Sequence, residues 1–195
     1  TPSGSKEDVV KKLRIKGKKE PQGSSVRITA TMDHVYVPEI VEDDEWIYVM
    51  LRRPREVYDK ILVIDAGHGG TGCGTYSIYY STLYEKEINL LVVQKLKEHL
   101  DAYRKENENL KIYYTRTTDE TIYLSQRVDL ANDVQADIFL SVHCNADSSG
   151  IPYGTEALYG SRETYRIGWG KKMAELFLAD LTEATGLAYR TCYER

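Results

Sequence analysis

The sequence predicts an α/β protein in which an open, mainly parallel sheet carries helices on both faces, preceded by a small β-rich N-terminal segment. The first observation is that strand-like and helix-like patterns alternate along the chain from Lys60 onward, as in proteins built around a parallel sheet. The second is composition: 195 residues with 42% hydrophobic and 29% charged side chains can bury one substantial core. The longest aliphatic run, residues 61–64, is far shorter than the roughly 20 residues of a membrane-spanning helix.

Changes in composition predict three segments. Residues 1–25 are rich in Lys, Ser, Gly and Glu and lack apolar periodicity, which predicts a flexible leader or linker. Residues 26–58 are predicted to be a small β-rich lead-in, because short β-like runs occur at 26–29, 34–37 and 46–51. Residues 59–195 carry the alternating pattern and are predicted to form the main domain.

Within the main domain, aliphatic and β-branched runs predict strands, and apolar residues at helical spacing predict the helices that cover them. The predicted strands are 61–65, 111–115, 137–143 and, with a weaker pattern, 155–159. A first helix is predicted over 86–103 from Ile88, Leu91, Val92, Leu96, Leu100 and Tyr103. A second is marked by Leu124, Val128 and Ala131, and a third, ending near Gly186, by Ile167, Ala174, Phe177, Leu178 and Leu181.

Charge and cysteine content argue against several classes of protein. A net charge of −4 and a pI near 5.6 argue against nucleic-acid binding through phosphate neutralisation. Three cysteines without a CxxC pair support neither a structural zinc knuckle nor a thioredoxin-like site. Cys144 directly follows His143 on a predicted strand, where successive side chains point to opposite faces. We therefore expect the Cys144 thiol to point away from the contacts of His143 and to lie in the core.

Two histidines lie at the carboxyl ends of predicted strands. His68 lies in the glycine-rich turn after strand 61–65, and His143 ends strand 137–143. Sites in open α/β sheets gather at the carboxyl ends of the strands, so both histidines are expected at one edge of the sheet. Glu85 begins the helix between them, close to the loop that leaves the first strand. Two histidines and a carboxylate make a three-ligand zinc site with a fourth position open, which is the catalytic arrangement and suits amide hydrolysis.

These residues lie in a series of motifs that resembles the zinc-dependent N-acetylmuramoyl-L-alanine amidase family. The motifs occur in order between residues 60 and 160: DAGHGG at 65–70, EKEINL at 85–90, TRTTD at 115–119 with Leu124 and Arg127, AN at 131–132, AD at 136–137 and SVHCNA at 141–146. The resemblance implies zinc on His68, Glu85 and His143, with Asn145 among the substrate-binding residues. It also implies hydrolysis of the amide bond between N-acetylmuramic acid and L-alanine in bacterial peptidoglycan.

The resemblance further implies an extracellular or cell-wall location. An upstream signal or anchor is consistent with the start at Thr1, and the basic stretch within residues 1–25 is either a contact to a membrane or wall polymer or a solvated tail.

Departures from the family pattern concern the general base. Members continue past the third helix into a strand that ends in a glutamate acting as base, whereas this sequence ends at Tyr193-Glu194-Arg195. Glu156 is the carboxylate offered in its place; the alternative is a polar residue on an edge strand.

Three other residues near the motifs have two interpretations each. Asp65 either orients the ring of His68 or caps the turn that follows its strand. Arg116 and Arg127 either meet the carboxylates of the stem peptide or pair with Asp119 and Asp129, and the pairing is the preferred interpretation.

Two alternative functions remain open from sequence. Residues 67–72 spell GxGxxG after a strand, the pattern of a dinucleotide-binding domain, but helical periodicity begins only near Glu85. That interpretation explains neither His143 nor Glu85. The other alternative is a catalytically inactive, zinc-containing wall-binding module.

Overall fold

The computed structural model describes residues 9–20, 23–80, 82–147, 149–160 and 168–194. The chain divides into two compact units, Thr1–Cys144 and Asn145–Arg195. The division falls inside the segment 59–195 that the sequence analysis treats as one domain. Among the described residues, no helix is long and apolar enough to cross a membrane.

The N-terminal part of the first unit consists of two antiparallel hairpins and a short helix. Strand β1 (Val10–Glu20) pairs with β2 (Gly23–Met32), and β3 (Val37–Glu42) pairs with β4 (Ile47–Arg52). Helix α1 (Pro54–Val57) follows. The hairpins agree with the predicted β-rich lead-in, although the expected run at 34–37 contributes only its last residue to a strand.

The structure differs from the expectation that residues 1–25 are a flexible leader, because 10–20 form strand β1. The prediction for residues 1–8 lies outside the described residues. Strand β1 has the alternation of apolar and polar side chains that is typical of a strand, but its many lysines make the pattern hard to recognise. Leu13 and Ile15 face one side of the hairpin, and Lys12, Arg14 and Lys16 face the other.

A three-stranded parallel sheet lies at the centre of the first unit. Strand β5 (Lys60–Ala66) is the middle strand, between β6 (Leu110–Tyr114) and β7 (Ile138–Val142). Helices α2 (Glu85–Lys105) and α3 (Leu124–Asp133) connect these strands. All five elements occur where the sequence predicts them.

The two faces of β5 pack against different helices, as the alternation of side chains along a strand requires. Ile64 and Ala66 share a core cluster with Val93 of α2. Ile61 and Val63 share another with Val134, which directly follows α3. The prediction of helices on both faces of a parallel sheet is thereby confirmed.

Asp133, the last residue of α3, binds three groups of the N-terminal segment. Its carboxylate accepts hydrogen bonds from the Val35 backbone N–H at 2.6 Å, from Arg53 at 2.7 Å and from the His34 ring at 2.5 Å. Burial opposes ionisation, but the hydrogen bonds from Arg53, Val35 and His34 outweigh it and lower the pKa of Asp133. This partly buried carboxylate holds the connection between the hairpins against the sheet domain.

The second unit contains β8 (Thr155–Tyr159), α4 (Trp169–Thr185) and β9 (Tyr189–Glu194). Strands β8 and β9 are parallel, and Ala174 and Leu178 of α4 are buried. The helix ends at Gly186, which has the left-handed φ of 66° that glycine adopts readily at helix ends. This is the predicted end of the third helix, whose expected first residue, Ile167, lies outside the described residues. Strand β9 was not predicted.

Candidate metal centre

The structure brings His68, Glu85 and His143 together. One potential ligand atom from each lies within 4.8 Å of the other two. Glu85 Oε2 is 3.2 Å from His68 Nε2, and Glu85 Oε1 is 2.9 Å from His143 Nδ1. Ligands that bind zinc at about 2.0–2.2 Å lie roughly 3–4 Å from one another, and both distances from Glu85 to a histidine nitrogen are close to that range. The chemistry also fits, since two imidazoles and a carboxylate are common zinc ligands.

Sheet geometry explains why distant residues meet here. His68 follows β5 and His143 follows β7, and Ala66 is paired with Val142 in the parallel register. The Gly67 N–H donates to the Val142 carbonyl at 3.0 Å, which extends the pairing to the positions just before the two histidines. His68 has a left-handed φ of 61°, a conformation uncommon outside glycine that turns the chain at the end of β5.

Glu85 is the buried member of the centre, with 4% of its side chain exposed, against 34% for His68 and 48% for His143. As the first residue of α2, it gains from the partial positive charge of the helix N-terminus. Burial alone would raise its pKa. The backbone N–H of Thr75, the His143 ring and the backbone N–H of Cys144 donate to it, and together with the nearby His68 they lower the pKa of the carboxyl group.

Two glycines are in direct contact with the candidate ligands. A Cβ on Gly67 would lie 2.3–2.6 Å from three atoms of the His143 ring. A Cβ on Gly74 would lie 2.6 Å from both Glu85 Oε2 and His68 Cδ2. From sequence, these glycines were predicted only as parts of a turn and the loop after it. Only the fold shows that neither position has room for a side chain.

Asp65 does neither of the things expected of it. Its buried carboxylate pairs with Arg127 and accepts hydrogen bonds at 2.6 Å from the hydroxyls of Thr115 and Ser141. Thr115 directly follows β6, and Ser141 belongs to β7. The carboxylate therefore connects the middle strand to both neighbouring strands, and this network replaces the proposed contact to the His68 ring or cap of the following turn.

The structure also corrects the predicted roles of Arg116 and Arg127. Both are buried, with 2% and 5% exposure, so a role as exposed contacts to substrate carboxylates is excluded. The predicted partner Asp119 pairs instead with Lys86 at 2.7 Å.

The two guanidinium groups hold the backbone that carries His68. Arg116 donates to the carbonyls of Ala66 at 2.8 Å and Gly67 at 2.9 Å, and Arg127 donates to the His68 carbonyl at 2.7 Å. Arg116 also donates to the Lys86 carbonyl at 2.8 Å, next to Glu85. A buried cation thus joins two of the segments that carry the candidate ligands. Arginines that bind backbone carbonyls leave no pairing signal in the sequence.

Cys144 contacts the metal centre through Glu85. Its backbone N–H donates to Glu85, while its half-buried thiol faces the Asn89 side-chain oxygen at 3.6 Å. Burial and the charge of Glu85 raise the pKa of the thiol. Asn89, which the sequence analysis did not single out, is fully buried and donates to the Gly67 carbonyl at 3.2 Å. It lies one helical turn after Glu85, a spacing that could have drawn attention to it.

Asn145 and Glu156 belong to the second unit and contact each other. The Asn145 amide donates to one carboxylate oxygen of Glu156, and Arg190 lies 3.3 Å from the other oxygen. Glu156 is 11% exposed and occupies β8.

The glycine-rich loop does not have the form of a dinucleotide-binding turn. In that fold a helix opens at the glycines, whereas here α2 begins at Glu85, 13 positions after Gly72. Glu85 and the two histidines occupy the carboxyl edge of the sheet instead.

Comparison with known proteins identifies the family of the chain. A family model described as N-acetylmuramoyl-L-alanine amidase matches residues 62–195. The N-acetylmuramoyl-L-alanine amidase LytC of Bacillus subtilis (strain 168) is 34% identical over 119 residues, which are 61% of this chain and 22% of that protein. AmiC of Escherichia coli O6:H1, an N-acetylmuramoyl-L-alanine amidase, is 35% identical over 49% of this chain and 21% of its own length. The chain thus spans about a fifth of these curated relatives.

Solved structures of similar fold carry the same amidase name. An N-acetylmuramoyl-L-alanine amidase from Clostridium difficile 630 has a TM-score of 0.61 and 31% identity, covering 70% of this chain and 69% of that one. The catalytic domain of CwlV, an amidase of the same name from Bacillus (Paenibacillus) polymyxa var. colistinus, has a TM-score of 0.58 and 33% identity, covering 70% of each chain. Because the family match extends over more than half of the sequence, the chain belongs to the N-acetylmuramoyl-L-alanine amidase family.

Proposed function

We propose that this chain hydrolyses the amide bond between N-acetylmuramic acid and L-alanine in bacterial peptidoglycan, with one zinc ion held by His68, Glu85 and His143. The observation that carries the proposal is the convergence of these three side chains, from the ends of two parallel strands and the start of a helix, within 4.8 Å. The names of the relatives support the choice of substrate.

The three candidate ligands have different roles in such a site. Glu85 is buried and fixed by the backbone N–H groups of Thr75 and Cys144, so it provides a rigid anionic ligand. His68 and His143 are partly exposed, which keeps the substrate side of the centre accessible. A zinc ion with three protein ligands supplies a Lewis acid that polarises a carbonyl and lowers the pKa of water.

Glu156 and Asn145 are proposed to serve the reaction as general base and substrate contact, respectively. The ion pair between Glu156 and Arg190 competes with a role in proton transfer, because it already engages one carboxylate oxygen. Purified Glu156→Gln decides the matter for this residue. A loss of rate with normal zinc content supports catalysis, whereas the full rate of the parent chain assigns Glu156 to structure.

The same proposal concerns the organisation and location of the protein. We infer that the amidase domain begins near residue 59, since the family match starts at residue 62. Residues 26–58 then form a lead-in outside the amidase domain. Peptidoglycan lies outside the cytoplasmic membrane, so the proposed place of action is the cell wall.

The first test is the zinc content of the purified chain by elemental analysis, beside His68→Ala and His143→Ala. His99→Ala is the matched control, because His99 is exposed on α2, outside the cluster. We expect about one zinc per chain in the parent and the control, and loss of zinc in both ligand variants. Unchanged zinc content in His68→Ala and His143→Ala would refute the proposed site.

A second assay follows the release of stem peptides from purified peptidoglycan. Release that chelation abolishes and zinc restores supports the amidase. A chain that holds zinc and binds peptidoglycan without releasing peptides would be the inactive wall-binding module instead.

A further inference from the structure

A segment with unusual composition connects the metal centre to α2. No charged residue occurs from Thr71 to Tyr84, although 29% of the whole chain is charged. Residues 76–80 and 82–84, here called the tyrosine loop, expose 62% of Tyr76, 72% of Ile78, 83% of Tyr79 and 70% of Tyr80. Such a concentration of exposed apolar side chains marks an interaction site more often than chance exposure.

Hydrogen bonds give the tyrosine loop a defined shape. Tyr76 and Tyr84 form a β-bridge at its base, and the Ser77 N–H donates to the Leu83 carbonyl at 3.0 Å. The Ser77 hydroxyl accepts from the backbone N–H groups of Tyr79 and Tyr80 at 3.2 and 3.1 Å. The backbone that carries Tyr79 and Tyr80 is therefore held by hydrogen bonds, which lowers the entropy cost of binding a ligand on the two rings.

The base of the tyrosine loop is fastened to a candidate zinc ligand. The Thr75 N–H donates to Glu85 Oε2 at 3.0 Å, and the Glu85 N–H donates to the Thr75 carbonyl at 2.8 Å. Gly74, one residue earlier, lies so close to Glu85 and His68 that a Cβ would clash with both. The aromatic surface thus begins two residues from the wall of the metal centre.

We propose that the tyrosine loop is a saccharide subsite that binds the glycan strand next to the scissile amide. The proposal rests on the proposed function, in which a muramic acid sugar lies on one side of the reacting amide and a peptide on the other. The C–H face of a pyranose ring is apolar and packs on an aromatic ring, while the tyrosine hydroxyl can bond to sugar hydroxyls.

Charge favours the glycan over the stem peptide as the occupant. N-acetylated sugars whose lactyl groups are amide-linked are neutral, and so is every residue from Thr71 to Tyr84. A stem peptide carries free carboxylates and amines, whose recognition calls for side chains of opposite charge. The use of Tyr rather than Phe, with 16 and 2 in the chain, also suits a ligand rich in hydroxyl groups.

The test measures binding to the zinc-loaded full chain of two probes: peptide-free glycan strands whose lactyl carboxyl groups have been converted to amides, and the free stem peptide. The variant is Tyr79→Ala/Tyr80→Ala, and Tyr79→Phe/Tyr80→Phe keeps the rings without the hydroxyls. Tyr103→Ala is the matched control, because Tyr103 is 57% exposed on α2, about 27 Å along the helix from Glu85. Zinc content and circular dichroism establish that each variant is folded.

We expect the double alanine variant to bind glycan strands about tenfold more weakly, as the loss of two aromatic contacts implies, with a smaller loss for the phenylalanine variant. Tyr103→Ala should bind like the parent. Equal glycan binding by parent and double alanine variant, no glycan binding by the parent, or a selective loss of stem-peptide binding would each overturn the proposal. Because binding needs no turnover, these outcomes are distinct from a failure of hydrolysis, which would refute the proposed function.

Discussion

A methyl group added at Gly67 should abolish tight zinc binding while leaving the chain folded. In Gly67→Ala the new Cβ would lie 2.3 Å from His143 Cε1, where ordinary contact begins at 3.4 Å, so the ring must retreat by about 1 Å. Zinc–ligand distances tolerate changes of only about 0.2 Å. Almost half of the His143 side chain is exposed, so the ring can turn outward without disturbing the core, and it leaves Glu85 as it does so.

The expected result is zinc binding weakened by about 100-fold or more, since disturbing even the partners of metal ligands costs 10–100-fold. Competition with a chromogenic chelator measures the affinity, and urea unfolding of the zinc-free chain measures the fold. Gly72→Ala is the matched control in the same loop, because its Cβ would meet nothing closer than 3.6 Å and its φ is not left-handed. The reasoning is refuted if Gly67→Ala and Gly72→Ala bind zinc equally well.

Three further predictions concern stability. Arg127→Met should lower the free energy of unfolding by roughly 3–5 kcal/mol, because it leaves the Asp65 carboxylate buried and unpaired. In a double-mutant cycle, Arg127→Met combined with Asp65→Asn should lose less stability than the sum of the two single variants. Additive losses in urea unfolding would contradict this prediction. Asp133→Asn should destabilise the chain near neutral pH. Because the folded pKa of Asp133 lies below its ordinary 3.8, the stabilisation by its ionised form is present above pH ~3.8 and fades as pH falls through the folded pKa. The free energies of unfolding of the parent and the variant should therefore converge in acid. A difference in unfolding free energy that stays constant with pH would contradict this prediction. Zinc at about 100 times its Kd should raise the free energy of unfolding by about 2.7 kcal/mol in the parent and by none in His143→Ala, which calorimetry can test.

Sequence predicted the sheet and the meeting of the three candidate ligands for a simple physical reason. Buried parallel strands are continuous apolar runs, and residues that follow such strands gather at one edge. His68 and His143 could therefore be placed together without knowledge of any contact. Glu85 followed from the start of helical periodicity.

What the sequence did not predict depends on contacts that leave no periodic signal. Arg116 binds carbonyls from two separate segments, and its nearest acidic neighbour in sequence, Asp119, has a different partner. Strand β1 was concealed by its lysines, since its alternation is masked by overall polarity. The clashes that forbid a side chain at Gly67 arise from a ring 76 positions later in the chain.

The pairing of β5 with β7 also fixes when the metal centre can form during synthesis. His68 and Glu85 are 17 positions apart, but His143 comes 58 positions after Glu85, and it reaches them only once Ala66 and Val142 are in register. A slip of one residue would point the ring to the opposite face of the sheet. A nascent chain therefore has no complete set of ligands until its third central strand has emerged and docked. A zinc ion that needs all three ligands would therefore bind only after the sheet has formed, and would stabilise the sheet without directing its assembly.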